Sequence, residues 1–412
     1  MLSDRSRPVV EATLPVVGEH IAEIARRFYA HMFAAHPELL DGTFNRGNQA
    51  QGTQQVALAG SVAVFASALL RTPEQLPEQL LSRIAHKHAT LGIRPEQYDV
   101  VHEHLFHAIG DVLGDAVTPE VARAWDEVYW LMAYALINIE RGLYSARGVR
   151  PDTVWRTWRV VRKQQETADV VTFLVERADD RLVKTSLPGQ YVTVQVTMPD
   201  GVRQPRQYSL TRADDGRHRQ FSVKRVHGGG RPAGEVSNRL VDDVRVGDEL
   251  TLSVPFGDVV LDDGGRPVVF ASAGIGITPM AGMLSHLAAA GSHLPVLLLH
   301  ADASAQSFAL REQVLADVAA LPGARAHVWF EDGGGADLPV QGVHEGFLDL
   351  DDLDDADLPP DAIYYLCGPV PFMKAVRSAL LERGVAARDV QYEVFGPDLW
   401  AADLAGVPTP GA

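Results

Sequence analysis

The chain has 412 residues, which at roughly 150 residues per domain makes two or three domains, each large enough to bury its own core. Hydrophobic residues make up 46% and charged residues 22%, with Gly 36 and Pro 25 dispersed, so collagen-like, low-complexity and largely disordered classes are excluded. The 37 Lys and Arg against 53 Asp and Glu give a net charge of -16, a field that repels phosphate backbones and argues against a nucleic-acid partner.

The single cysteine, Cys367, excludes an internal disulfide, a Cys-rich zinc site and an iron–sulfur cluster, so any redox chemistry requires a bound cofactor. Uninterrupted apolar runs such as residues 131–137 fall well short of the roughly 20 residues that span a bilayer, and Asp4, Arg5 and Arg7 stand where a signal sequence would have an apolar core. The expected setting is a reducing cytoplasm, with no obligatory membrane.

Residues 1–147 read as all helix, because the apolar period is near 3.6 and β-branched runs are scarce. Ile21, Ile24, Phe28 and Met32 form one stripe; Leu58, Val62, Phe65 and Leu69 a second; Tyr98, Val101, Leu105 and Val112 a third; Trp125, Val128, Met132 and Ile139 a fourth. Pro37, Pro73, Pro77, Pro95 and Pro119 punctuate them. A short, stiff linker at 148–151 leads into residues 148–264, where short strand-like runs between Gly and Asp turns predict an antiparallel β-barrel. Over residues 265–400, strands and helices alternate, which predicts a parallel sheet with helices on its faces. The acidic stretch 349–361 reads as solvated loop, and 401–412 as a disordered tail.

Several polar side chains fall on apolar stripes of the helical third. His88 follows Leu81 and Ile84 at i+7 and i+4, whereas His86 points away. Gln54 precedes Leu58 by one turn, Tyr29 neighbours Phe28, and Tyr98 lies on the Val101 and Leu105 stripe. Glu140 lies between Leu136 and Leu143, where an unpaired carboxylate loses several kcal/mol on desolvation, so it needs a donor. Each residue also has a plain reading: a hydrogen-bonded core histidine, a tyrosine with its hydroxyl at the surface, a glutamine capping a helix, a glutamate reaching water. Zinc is a rival use for the histidines, with His102, His104 and His107, or His86 and His88, as candidate sets. Residues at i and i+2 diverge on a helix, so these sets do not converge and are read as surface groups.

The segments Phe28-Tyr29-Ala30-His31-Met32-Phe33, Thr43-Phe44-Asn45, Ile84-Ala85-His86-Lys87-His88 and Arg94-Pro95-Glu96-Gln97-Tyr98 resemble, in order and spacing, the globin domain of bacterial flavohemoglobins. The resemblance implies a haem b whose iron is held by His88, with Tyr98 and Glu140 hydrogen-bonded behind that ligand. It also implies a distal pocket of Tyr29, Gln54 and Leu58, with Phe44 packed on the haem. A carboxylate and a phenol behind an imidazole give it anionic character and push electron density toward iron.

In the middle third, Arg206-Gln207-Tyr208-Ser209 lies on a predicted strand, so Arg206 and Tyr208 share a face. An aromatic suits the isoalloxazine face, an arginine a pyrophosphate, a serine the reactive flavin nitrogen; an exposed strand with a Tyr–Arg pair is the plain reading. With Tyr191 in Pro188-Gly189-Gln190-Tyr191, and Glu235, Val236 and Ser237 opening a helix after Gly234, the segment resembles a ferredoxin-reductase-type FAD domain. That family places Val394, Phe395, Gly396 and Pro397 against the flavin, with Phe395 covering the ring until nicotinamide displaces it.

In the last third, Ala273-Gly274-Ile275-Gly276-Ile277-Thr278 follows a strand and opens a helix, where glycines admit a pyrophosphate. Cys367-Gly368-Pro369 ends a later strand, and both motifs resemble the NAD(P)H domain of the same reductases. Cys367 is then expected near the nicotinamide, its plain reading being a small buried residue. Pro371 departs from the glycine of flavohemoglobins and is expected to alter the adjoining loop. Residues 301–307 contain no base for a 2′-phosphate, which favours NADH, although NADPH stays open through a base on another segment.

The resemblance spans about residues 2–397. It implies an all-α globin domain, an antiparallel β-barrel FAD domain and an α/β parallel-sheet NAD domain, acting as a monomeric nitric oxide dioxygenase. NO and O2 become nitrate with electrons passed from NADH through FAD to haem, a detoxification. Alternatives are a flavin or ferric reductase with a non-catalytic helical domain, and a haem-based oxygen sensor or store; peroxides and lipids are alternative substrates. An oxygenase reductase component is disfavoured, since it usually carries an iron–sulfur domain.

Overall fold

Prolines mark helix boundaries of the first third, as the sequence predicts, and glycines close α4, α5 and α6. A computed structural model describes the chain apart from residues 51, 180–183, 229–231, 263, 334–336, 355–356 and 397–412. Among the described residues six α-helices precede the first strand: α1 Ser6–Ala35, α2 Arg46–Ala50, α3 Thr53–Arg71, α4 Glu78–Leu91, α5 Glu96–Leu113 and α6 Pro119–Arg147. Pro37 follows the end of α1, Pro73 lies beyond α3, and Pro77 and Pro95 are the N-caps of α4 and α5. Pro119 takes the first position of α6, where a missing N–H costs nothing, and Thr118 caps that helix by accepting from the Val121 N–H. The exception is Pro15, which α1 passes through on its exposed side.

The stripes bury as two clusters. Leu81, Ala85, Tyr98, Trp125, Val128 and Leu136 pack with the first part of α1 and with α3. Ile24, Phe28, Tyr29 and Met32 pack with Leu105 and Ala108. By length and composition α3 includes one window long and apolar enough to cross a membrane, Gln54–Arg71, with 44% of it buried in the helical core. The run-length reading missed it because Gly60, Ser61 and Ser67 interrupt the apolar stretch.

By its contacts the chain divides into two compact units: Met1–Trp155 with Gln195–Arg206 and Gly396, and Arg156–Val194 with Gln207–Phe395. In the first unit a β-hairpin tip from the middle third is tied to the loop after α1. The Asp41 carboxylate accepts from the Arg203 backbone N–H at 2.8 Å and from its guanidinium at 2.7 Å, and Arg46 pairs with Asp200 at 2.5 Å.

The middle third forms a six-stranded sheet from β1 Trp155–Gln165, β2 Val170–Arg177, β3 Tyr191–Thr197, β4 Arg203–Ser209, β5 His218–Lys224 and β6 Glu249–Ser253, in the order β4-β3-β6-β1-β2-β5. An antiparallel bridge between Leu210 and Phe221 joins the two outer strands, which removes the open edge as a barrel does. The helix α7 Glu235–Asp242 follows β5.

The last third is a parallel sheet of order β10-β9-β8-β7-β11-β12. Its elements are β7 Val268–Ala273, α8 Ile277–Ala289, β8 Val296–Asp302, α9 Arg311–Ala320, β9 Ala324–Phe330, β10 Gly342–Glu345, β11 Ile363–Cys367, α10 Val370–Glu382 and β12 Val390–Glu393. Strands β10 and β12 escaped the sequence reading because four residues give no readable period. Two expectations are corrected. The acidic stretch is not all solvated, since Leu350 and Leu358 are buried and Asp352 accepts from the Trp329 indole at 2.7 Å. Pro371, read as part of a loop, lies in the first turn of α10, where proline is tolerated.

Candidate functional site

Three helices converge on His88. α4 carries the imidazole, α5 carries Tyr98 and α6 carries Glu140. The Tyr98 hydroxyl donates to Glu140 Oε1 at 2.5 Å, and His88 Nδ1 lies 2.8 Å from the same oxygen and 3.0 Å from the Tyr98 oxygen. Tyr98 has one proton and gives it to the carboxylate, and an ionised carboxylate only accepts, so Nδ1 must carry the ring hydrogen. With its hydrogen at Nδ1, the ring has Nε2 as the nitrogen left to offer a lone pair to a metal. Glu140 is 2% exposed, while the His88 side chain is 32% exposed. The buried carboxylate holds the back of the ring and the ligating edge remains accessible, so the donor set fits a haem iron.

Further bonds fix this group. Tyr129 donates to the Tyr98 carbonyl at 2.6 Å and Tyr144 to the Ile93 carbonyl at 2.9 Å, tying α6 to the turn between α4 and α5. Gly92 ends α4 at φ 74, and a Cβ there would meet the Pro151 carbonyl at 2.4 Å. Burial and the neighbouring Glu140 charge push the Tyr98 phenol far above its usual pKa, so it remains a donor at any working pH.

On α1, Tyr29 is buried among Phe28, Phe33 and Phe44, at ring-centroid distances of 4.7, 5.6 and 5.9 Å. Burial raises its pKa strongly, with a smaller opposing effect from a hydrogen bond to the Gln54 side chain. Tyr29, Phe44 and Leu58 belong to one apolar cluster, so the expected distal residues are brought together with Gln54 at their polar point.

In the second unit, Tyr208 stacks on Phe221 at 5.5 Å, and Phe221 in turn stacks on its cross-strand partner Phe173 at 5.5 Å. Two fully buried rings buttress one side of Tyr208, which is itself half-buried, as is Arg206. Ser209 and Tyr191 are buried, and Gln207 is exposed. At α7, Gly234 has no side chain to cap the helix, Glu235 is exposed and Ser237 half-buried. Val236 is fully buried, so only its backbone N–H is available to a phosphate. Val394 is buried, Phe395 is 48% exposed and Gly396 is exposed with φ 102; Pro397 lies outside the described residues.

The two motifs of the last third meet. A Cβ on Gly276 would lie 2.2 Å from the Cys367 carbonyl oxygen and 2.8 Å from the Gly368 nitrogen, so only glycine permits this approach. Gly274, at φ 53, has nothing within 4 Å on its Cβ side, and Ala273 and Ile275 flank it half-buried. Ile277 and Thr278 are buried at the start of α8, where the Thr278 hydroxyl donates to the Ile275 carbonyl at 3.0 Å. Pro369 is the N-cap of α10. Open space beside a helix N-terminus fits a pyrophosphate. Cys367 is 1% exposed, and burial together with Glu393 pushes its thiol well up, so this is not a reactive cysteine.

The reading of the remaining histidines as surface groups needs correction. His104 is buried against His36, and His102 stacks between Phe106 and Trp130 while holding Asp126 at 2.7 Å. Tyr129 and Tyr144 were missed as positioning residues. Tyr129, one residue after Val128, borders a stripe already read as core, and nothing in the sequence tells which carbonyl its hydroxyl meets.

The geometry and the family matches define a class: a globin carried on one chain with an FAD- and NAD-binding oxidoreductase. The globin family matches residues 26–136, the oxidoreductase FAD-binding domain 157–260, and the oxidoreductase NAD-binding domain 270–378. The chain is 43% identical over 401 residues to a flavohemoprotein of Bordetella parapertussis, covering 96% of this chain and 99% of the relative. It is 40% identical over 407 residues to one of Rhizobium meliloti, covering 97% and 100%. The crystal structure of a Malassezia yamatoensis flavohemoglobin with bound FAD and heme is similar at TM-score 0.87 and 39% identity, covering 96% of this chain and all of that one. The FAD/NAD-binding domain of a Vibrio cholerae nitric oxide dioxygenase is similar at TM-score 0.53 and 38% identity, covering 59% of this chain and 99% of its own. This chain belongs to the flavohemoprotein family.

Proposed function

We propose that the protein is a nitric oxide dioxygenase that turns NO and O2 into nitrate, using NADH electrons delivered through FAD to haem. The observation that carries this reading is the Tyr98–Glu140–His88 network, because it fixes one tautomer and makes the ligating nitrogen electron-rich. A carrier that only stores oxygen gains nothing from such a push, whereas activation of O2 does. The similar FAD/NAD-binding domain of the Vibrio cholerae nitric oxide dioxygenase supports the same reading.

Haem, when bound, supplies the iron at which the two gases meet, and FAD divides a two-electron hydride into single electrons. His88 would hold that iron through Nε2. Glu140 accepts from Nδ1 and keeps the imidazole oriented, and Tyr98 offsets the cost of burying the carboxylate. Tyr29 offers a hydroxyl donor that burial keeps protonated, and Gln54 orients it. Phe28, Phe44 and Leu58 keep water from that donor. Tyr208, Arg206, Ser209 and the α7 N-terminus would hold the flavin, and residues 273–278 with 367–369 the nicotinamide cofactor. NADH is favoured because β8 ends on Asp302, held by the Ala303 N–H at 2.8 Å and the Ser307 hydroxyl at 2.5 Å, where a 2′-phosphate would meet negative charge.

The test is Tyr29→Phe in the loaded protein. NO consumption should fall about tenfold or more, equivalent to about 1.4 kcal/mol or more of lost transition-state stabilisation. NADH reduction of FAD should not change. Undiminished NO consumption would remove Tyr29 from the mechanism.

A further inference from the structure

Helices α1 and α5 run antiparallel, and their shared seam is lined with histidines. Arg27 Nη1 reaches the Asp111 carbonyl at 3.4 Å, the His31 ring meets the His107 ring edge-on at 4.5 Å, and His36 meets His104 at 5.3 Å. At the His31 position three ligand atoms converge. His31 Nε2 lies 3.4 Å and His107 Nε2 3.6 Å from the same oxygen, Asp111 Oδ2, and all three atoms lie within 4.8 Å of one another. Asp111 follows His107 by one helical turn, so α5 presents both on one face and α1 supplies the third group.

These separations match a cation site. Bonds of about 2.0–2.2 Å in a tetrahedron place the ligand atoms about 3.3–3.6 Å apart, and the two measured edges fall in that range. Two neutral imidazoles can each aim an Nε2–H at this oxygen, but at 3.4 and 3.6 Å both contacts are longer than N–H···O bonds of about 2.7–3.2 Å, whereas a single cation among the three atoms accounts for both separations. Two imidazoles and one carboxylate suit a borderline divalent transition metal; calcium and magnesium demand oxygen ligands. Side-chain exposures of 31% for His31, 39% for Asp111 and 63% for His107 leave the site open to solvent, with a fourth position for water.

We propose that His31, His107 and Asp111 bind one divalent transition cation, with zinc as the representative, that cross-links α1 to α5. The cation then joins the helix bearing Tyr29 to the helix bearing Tyr98, outside the haem pocket. The experiment uses full-length protein loaded with haem and FAD, titrated calorimetrically with zinc chloride alone, followed by X-ray absorption at the zinc edge, which haem iron does not obscure. The expected result is one zinc per chain, with two imidazoles in its first shell. Affinity should fall at least tenfold in His107→Ala and again in Asp111→Asn, and remain unchanged in His20→Ala. His107 is largely exposed, so its truncation should leave the haem absorption and melting temperature intact; His107→Gln supplies a second variant. Zinc affinity equal in wild type, His107→Gln and Asp111→Asn, a zinc spectrum without imidazole, or no binding below millimolar zinc would each overturn the proposal.

Discussion

Replacing Glu140 by Gln keeps the shape and one acceptor oxygen but removes a buried charge from behind His88. The interactions weakened are the Tyr98 bond at 2.5 Å and the His88 Nδ1 bond at 2.8 Å. A hydrogen bond to a charged group contributes about 1.5–3 kcal/mol and a neutral one about 0.5–1.5, so neutralisation costs each bond about 1–1.5 kcal/mol. Only the His88 bond bears directly on bound iron, where an electron-rich imidazole favours the ferric over the ferrous state. At about 59 mV per tenfold, or 1.4 kcal/mol, in a one-electron couple, the haem potential should rise by about 40–65 mV. The assay is spectroelectrochemical titration of the loaded variant against wild type, with the flavin potential as an internal control and the iron–histidine stretch, expected to fall, as a second readout. A haem-loaded variant whose potential moves by less than about 15 mV, or moves downward, would refute the claim that the carboxylate tunes the ligand.

Gly276→Ala should lower NADH reduction of FAD by about tenfold or more, because its Cβ meets backbone atoms of Cys367 and Gly368 that cannot rotate away; haem content should be normal, and stopped-flow flavin bleaching checks it. Cys367, buried with its thiol pushed well up, should label with a disulfide reagent only when the protein unfolds, so rapid labelling of native protein would contradict its placement. Asp317 on α9 has its carboxyl pushed up to about 6 by burial. Its folded value exceeds the unfolded one, so its contribution is fully favourable below about pH 4 and is lost as pH rises through 6. Asp317→Asn should therefore stabilise the protein at pH 7.5 by about 1 kcal/mol, discounted for partial exposure, with a smaller gain near pH 5; equal melting shifts at both pH values would be inconsistent with this.

Most of the fold was legible because its signals are periodic. Stripes such as Ile21, Ile24, Phe28 and Met32 are buried as read, and the alternation of strands and helices after residue 265 corresponds to β7 through α10. For Glu140 the residues alone showed only that a carboxylate on an apolar face needs a donor; its grouping with Tyr98 and His88 was implied by the resemblance to flavohemoglobins, and the structure brings the three within hydrogen-bond distance. What the sequence did not disclose depends on approaches between distant segments. The ties from Asp41 and Arg46 to the 195–206 hairpin, and the contact of Gly276 with Cys367, leave no period behind. The same holds for His31, which meets His107 and Asp111 only because α1 and α5 cross in one register. The zinc sets weighed from the sequence, His102 with His104 and His107, and His86 with His88, each lay within one helix and included neither His31 nor Asp111.

The measurement that bears most directly on the proposed function is an anaerobic absorption series on the haem- and FAD-loaded protein, first with NADH and then with O2 and NO admitted. The account predicts bleaching of the flavin followed by conversion of the haem band to its ferrous form, then steady NO removal with one nitrate formed per NO and two NO consumed per NADH. Flavin bleaching that never reaches the haem, or NO loss without nitrate, would contradict it.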